Sequence, residues 1–165
     1  MTGVARSTLL DEARAILPQM VAIRRRIHAE PELGLDLPRT AATVVAELES
    51  LGLKPQLGRT TTSVVATIEG ARPGPSILLR ADMDALPLDE DTGLDFASAV
   101  PGVMHACGHD THVAMLLGAA RLLTERRDEL PGRVLLMFQP GEEGSHGARY
   151  MLDEGLLDAS GTTVT

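Results

Sequence analysis

The sequence predicts an α/β fold in which a mostly parallel sheet is flanked by helices. Three observations carry this. Apolar residues recur at helical spacing over 7–29, 38–51 and 112–130. Short apolar runs at 62–70, 76–83 and 132–140 read as strands. From residue 76 onward the order is strand, loop, helix, strand, loop, helix, which right-handed crossovers turn into a parallel sheet covered by helices.

The first helix presents Leu9, Leu10, Ala13, Ile16, Leu17, Met20, Ile23 and Ile27, with Pro18 expected to break or restart it and "AEPELG" to end it. The second starts near Pro38 and stops at Gly52, the usual asymmetry of proline first and glycine last. The strands at 62–70 and 76–83 are separated by the turn-forming "ARPGP", and the second is apolar on both faces, as a central strand is. An acidic, small-residue loop covers 87–103. After the helix at 112–130 comes a buried strand at 132–140, then "GEEG" and a helix over about 146–156. Ligand sites in such folds lie beyond the carboxyl ends of the strands. Three segments meet that condition: "RADMD" ending one strand, "ACGHD" before a helix, and "PGEEG" after the last strand.

At 165 residues the chain is about one domain long. A net charge of -8 and a pI near 5.0 disfavour a phosphate backbone, and one Tyr and two Phe offer no stacking platform, so nucleic acid is not an expected partner. The one basic cluster, Arg24 to Arg26, reads as the solvated end of a helix. Asp11, Glu12 and Arg14 interrupt any leader-like apolar run near the start, and no stretch has the length of a membrane span. A cytoplasmic protein is expected. Its single cysteine is a buried small hydrophobe, a nucleophile or a thiolate ligand.

"MHACGHDTH" at 104–112 gathers three histidines, that cysteine and an aspartate. Cys107 and His109, two apart in a glycine-containing turn, can reach one ion, and thiolate with imidazole suits zinc and its neighbours. A lone C-x-H is more often a structural pair, but the dense neighbourhood favours the metal. Asp110 can orient a ligating imidazole. His105 and His112 stay ambiguous between ligation and helix capping or core roles, and neither His28 nor His146 receives a role. Glu142 and Glu143 are adjacent, so their side chains are expected to point apart, one to a metal and one to substrate. Their position after a buried strand and before a helix N-terminus weighs against two merely solvated glutamates. Asp82 and Asp84 alternate at a strand end and share a face, where their charges repel unless a cation or an arginine lies between them; an Arg80 ion pair accounts for one of them but less easily for both. Cys107 as nucleophile with His109 as base is the rival chemistry, and it leaves four carboxylates unexplained.

The stretches "RRRIHAEPELG" (24–34), "LLRADMDALP" (78–87), "MHACGHDTHVAMLLGAA" (104–120) and "FQPGEEG" (138–144) resemble the metal-dependent amidohydrolases of N-acyl amino acids. These include hippurate hydrolase, aminoacylase-like enzymes and plant auxin-conjugate hydrolases, within the aminoacylase and carboxypeptidase G-type peptidase family. The resemblance implies a zinc-exopeptidase-like catalytic domain holding two divalent ions, zinc, manganese, cobalt or nickel. It implies Cys107 as the ligand bridging them, His109 and Glu143 as further ligands, Glu142 as general base, and Asp84 as the group behind the site that orients a ligand. Asp82 stands where the peptidase branches have a histidine ligand and Cys107 where they have an aspartate, and both departures point to the acyl-amino-acid branch. The family's further histidine ligands and its inserted lid domain, which mediates dimerisation, do not occur before Thr165. Residues 1–165 are therefore expected to be the N-terminal part of the catalytic domain, without turnover alone, with the parent enzyme a homodimer or higher oligomer acting on a small-molecule substrate. The alternative is a non-catalytic domain that binds metal or a partner protein.

Overall fold

The computed structural model describes residues 8–156. Helix α1 (Leu9–Ala29) begins under a capping box: the Asp11 backbone N–H donates to the Thr8 hydroxyl oxygen at 3.2 Å and the Thr8 N–H to the Asp11 carboxylate at 3.3 Å. Residue 7, where the sequence pattern starts, lies outside the described residues. Contrary to expectation, Pro18 does not interrupt the helix. Proline is exposed there, so the carbonyl left without its N–H partner faces water, and the packing of Ile23 and Ile27 below holds the axis. Helix α2 (Pro38–Ser50) has proline at its start as predicted. Helix α3 (His109–Glu125) starts three residues before the amphipathic run at 112, because Gly108 adopts φ +86° and turns the chain into the helix at His109. A 3-10 turn (Arg127–Glu129) follows, and helix α4 (Gly147–Asp153) closes the described part.

The sheet contains β1 (Gln56–Leu57), β2 (Val64–Glu69), β3 (Arg72–Asp82) and β4 (Pro131–Gln139) in the order β1-β2-β4-β3. The two-residue β1 has no sequence signature. The expected helix-flanked α/β sheet is present, and its parallel pairing is β3 with β4, joined through α3. The sheet is nevertheless mixed, since β2 runs antiparallel to both β1 and β4. Only Gly70 and Ala71 link β2 to β3, far short of the dozen or so residues a parallel crossover needs, so these strands must run oppositely. β4 lies between them. It is β4, therefore, and not 76–83, that is central: among the described residues β3 has one strand neighbour, and its Ile77 and Leu78 are 55% and 40% exposed. Much of "ARPGP" belongs to β3, with a register irregularity between Arg72 and Ser76.

Alternation along β2 and β4 sorts the core. Val64, Ala66, Ile68, Val134, Leu136 and Phe138 meet α1, α2 and α3 on one face, while Leu135 and Met137 meet Met151 of α4 on the other. Phe138 is fully buried and pairs across the sheet with Val64 and Ala81, one residue from Asp82. Phe138→Ala is expected to lower unfolding free energy by about 3–5 kcal/mol in urea titration, through lost transfer energy and the cavity left behind. No helix among the described residues is long and apolar enough to cross a membrane.

Candidate metal centre

The carboxyl ends of β3 and β4 face the first turn of α3, and the predicted residues meet there. His109 is the hub. Its Nδ1 donates to the Asp84 backbone carbonyl at 2.8 Å and lies 3.4 Å from Asp84 Oδ1. That bond leaves the Nε2 lone pair free, and Nε2 looks at Asp82 Oδ1 at 3.6 Å, Glu143 Oε1 at 3.9 Å and Glu142 Oε2 at 4.0 Å. A lone pair directed at three carboxylates calls for positive charge between them. Burial pulls the His109 ring down, but the Asp84 hydrogen bond and the Asp82 charge outweigh it, so the ring is raised above its usual value.

Asp84 is buried and does two jobs. Besides holding His109, its Oδ2 accepts from the Glu143 backbone N–H at 2.9 Å. Burial pushes its carboxyl up, yet the bonds from His109 and from the Glu143 and Glu142 backbone hold it below the usual range. The "GEEG" loop is curled by Gly141 at φ +63° and Gly144 at φ +77°, with Gly144 N–H donating to the Glu142 carbonyl at 2.8 Å. Gly147 fixes the far end, because a Cβ there would sit 1.6 Å from the Pro140 carbonyl oxygen. The two glutamates were expected to point apart whether the backbone was extended or turning, yet in this curl both carboxylates approach the same His109 nitrogen. Exposure separates them instead, 42% for the Glu142 side chain and 28% for Glu143.

One ligand atom each from Cys107, His109 and Glu143 lies within 4.8 Å of the others, and the same holds for Asp82, His109 and His112. Cys107 is exposed, which rules out the buried small hydrophobe, and its thiol bonds Glu143; that bond, with slight desolvation and the charges of Glu143, Glu142 and Asp82, raises it above the ordinary thiol value. Without a cation these neighbours oppose a thiolate. A divalent ion reverses that, since it replaces the shared proton and is attracted by the same carboxylates. The donor set therefore fits a soft-to-borderline divalent cation and does not fit an activated cysteine nucleophile, which needs a positive neighbour.

Arg80 pairs with only one of the two aspartates: its Nη1 lies 3.1 Å from Asp82 Oδ2 and its Nε donates to Gln139 Oε1 at 2.6 Å, while Asp84 is taken up by His109 and the Glu143 N–H. Oδ1 of Asp82 is 2.6 Å from His112 Nδ1. Spacing of three on a helix puts His112 beside His109, which is the one signal for this pairing in the sequence.

The Asp110 carboxylate does not bond the His109 ring directly. Its Oδ2 instead accepts from Arg24 Nε at 2.7 Å and meets His28 Nδ1 at 2.8 Å. The basic cluster is likewise not merely solvated: Arg25 lies over the Phe96 ring with 4.6 Å to its centroid, and Arg26 reaches Glu47 at 3.5 Å. Successive helix positions diverge in direction, so the three arginines pair with different carboxylates, Asp110, Asp95 and Glu47, while Arg24 and Arg25 share the Phe96 ring. His146 precedes α4 at φ +55° and does not enter the centre. His105 is buried with neither ring nitrogen partnered, and burial lowers it from 6.5 to about 4 despite the Asp110 charge. A depressed histidine contributes stability that is complete above 6.5 and lost as pH falls toward about 4. Unfolding free energy of the metal-free protein is expected to drop through that window, with His105→Gln flattening the slope by up to about 1 kcal/mol per pH unit.

Comparison with known proteins places the chain in a family. Residues 78–163, more than half of the chain, match the model of peptidase family M20/M25/M40. The chain belongs to that family. It is 47% identical over 153 residues to thermostable carboxypeptidase 1 of Saccharolobus solfataricus, covering 91% of the chain and 39% of the relative. It is also 47% identical over 140 residues to N-acetyl-L-cysteine deacetylase of Bacillus subtilis, covering 85% and 34%. Among solved structures, a Bacillus subtilis dinuclear metal binding peptidase of the M20 family superposes with a TM-score of 0.84 at 43% identity, covering 88% of this chain and 41% of that one. The chain thus spans well under half the length of these relatives.

Proposed function

We propose that this chain is the N-terminal, metal-holding part of a metal-dependent amidohydrolase that cleaves the amide bond of N-acyl amino acids. The observation that carries the reading is the convergence of the Cys107 thiol and the Glu143, Glu142 and Asp82 carboxylates on the free Nε2 of His109. Cys107, His109 and Glu143 would hold divalent metal in the full enzyme, for which two ions are expected. Bound ions supply Lewis acidity that polarises the amide carbonyl and makes a water more acidic. Asp84 keeps the His109 tautomer and the Glu143 backbone in place. Glu142, the more exposed glutamate, accepts a proton from the attacking water as its oxygen bonds to the carbonyl carbon, then gives that proton to the amine nitrogen as the C–N bond breaks.

The substrate class rests on the relatives' names. A deacetylase of N-acetyl-cysteine and a carboxypeptidase both cut the bond between an acyl group and the nitrogen of an amino acid. The reading includes a small-molecule substrate, a cytoplasmic location, which suits a lone unpaired cysteine, and a homo-oligomeric parent. A polypeptide extending this chain to the length of its relatives, assayed on N-acetyl, N-benzoyl and dipeptide substrates, should release the free amino acid and lose that activity to a chelator. Chelator-insensitive turnover, or none on any substrate of the panel, would refute it.

A further inference from the structure

The "RRRIHAE" segment takes no part in the centre just described, yet His28 is 3% exposed and sits between two carboxylates. Its Nδ1 meets Asp110 Oδ2 at 2.8 Å and its Nε2 meets Glu90 Oε1 at 3.2 Å. The two partners belong to the two segments that orient His109. Asp110 is the next residue in the first turn of α3 and is itself fully buried, while Glu90 lies in the loop that leaves Asp84. Backbone bonds reinforce the same grip: the Ala85 N–H donates to the Glu32 carbonyl and the Ala99 N–H to the Ala29 carbonyl, both at 2.8 Å. Glu90 is further tied by the Ser98 N–H at 2.6 Å. Arg24, one turn earlier on α1, adds the second donor to Asp110.

We propose that His28 is a positioning residue of the metal centre, acting through Asp110 to fix the first turn of α3 and thereby the direction of the His109 lone pair. This rests on the metal reading above. The groups that contact the ion set its affinity only as well as the surrounding bonds hold them, and losing one such outer bond costs about 10–100-fold in affinity. Without His28, Asp110 keeps Arg24 as its one side-chain partner among the described residues, and the turn carrying His109 is left with its direct bond to Asp84 but without the brace through His28 to Glu90.

The test is the Zn2+ affinity of this chain, measured by competition with a chromophoric chelator for wild type, His28→Ala, His28→Asn and His28→Gln, with thermal unfolding of the metal-free proteins alongside. His28→Ala is expected to bind about 10–100-fold more weakly. The Asn amide nitrogen reaches the place of Nδ1 and should recover most of the loss. The Gln amide reaches the place of Nε2, towards Glu90, and should not. A merely structural histidine would instead give affinities that follow the metal-free melting temperatures, with no difference between Asn and Gln at equal melting temperature. Equal Zn2+ affinity in wild type and all variants overturns the proposal alone, whereas a wild-type chain that binds no Zn2+ overturns the metal reading and this proposal with it.

Discussion

Glu142→Gln in the full-length enzyme is expected to lower kcat by about 10²–10⁴-fold while metal content stays at the wild-type value. The amide keeps the size and shape of the carboxylate but cannot carry a proton from water to the leaving nitrogen, and an unprotonated amine is a poor leaving group. The loss corresponds to about 3–5 kcal/mol of transition-state stabilisation. KM should change little, because the side chain is not needed to hold the ground-state substrate. Elemental analysis beside steady-state kinetics checks both halves. Near-normal turnover would move the base to another residue, whereas lost metal would place Glu142 among the ligands. Glu143→Gln, by contrast, should lose metal and activity together.

Cys107→Ser is expected to weaken divalent-metal binding by more than about 100-fold, since removal of a direct ligand exceeds loss of an outer hydrogen bond. Serine retains size but gives up the thiolate. The wild-type affinity should also climb with pH, by up to about tenfold per unit for each proton displaced, and continue climbing past the ordinary thiol range because the Glu143 bond and the surrounding carboxylates raise the Cys107 thiol. In Cys107→Ser that high-pH rise should disappear. Unchanged metal affinity with lost turnover would instead favour the cysteine as nucleophile.

The legible parts of this molecule are those encoded by neighbours in sequence. Cys107 and His109 read as a candidate ligand pair because only Gly108 separates them, and "PGEEG" marks its place by following a buried strand. Helical periodicity locates α1, α2 and the body of α3. What spacing does not encode is which distant segments meet. The apolar run 76–83 looks central, but the two-residue link at Gly70 and Ala71 forces β2 and β3 apart in direction and lets β4 enter between them. The start of α3 depends on the left-handed Gly108, invisible to hydrophobic pattern. His28 and Asp110 are 82 residues apart, and Asp82 and His112 are 30 apart, so both pairings needed the fold before they could be seen. Asp110, read as able to orient a ligating imidazole, bonds Arg24 and His28 of α1 rather than the His109 ring.

Cobalt substitution tests the metal centre most directly. Titrating Co2+ into the chain should produce a thiolate-to-cobalt charge-transfer band in the near ultraviolet that is absent in Cys107→Ser, weakened in Glu143→Gln and retained in Glu142→Gln. Zn2+ should displace the band. Its absence from the wild-type protein, or its survival in Cys107→Ser, would contradict a centre built on Cys107, His109 and Glu143.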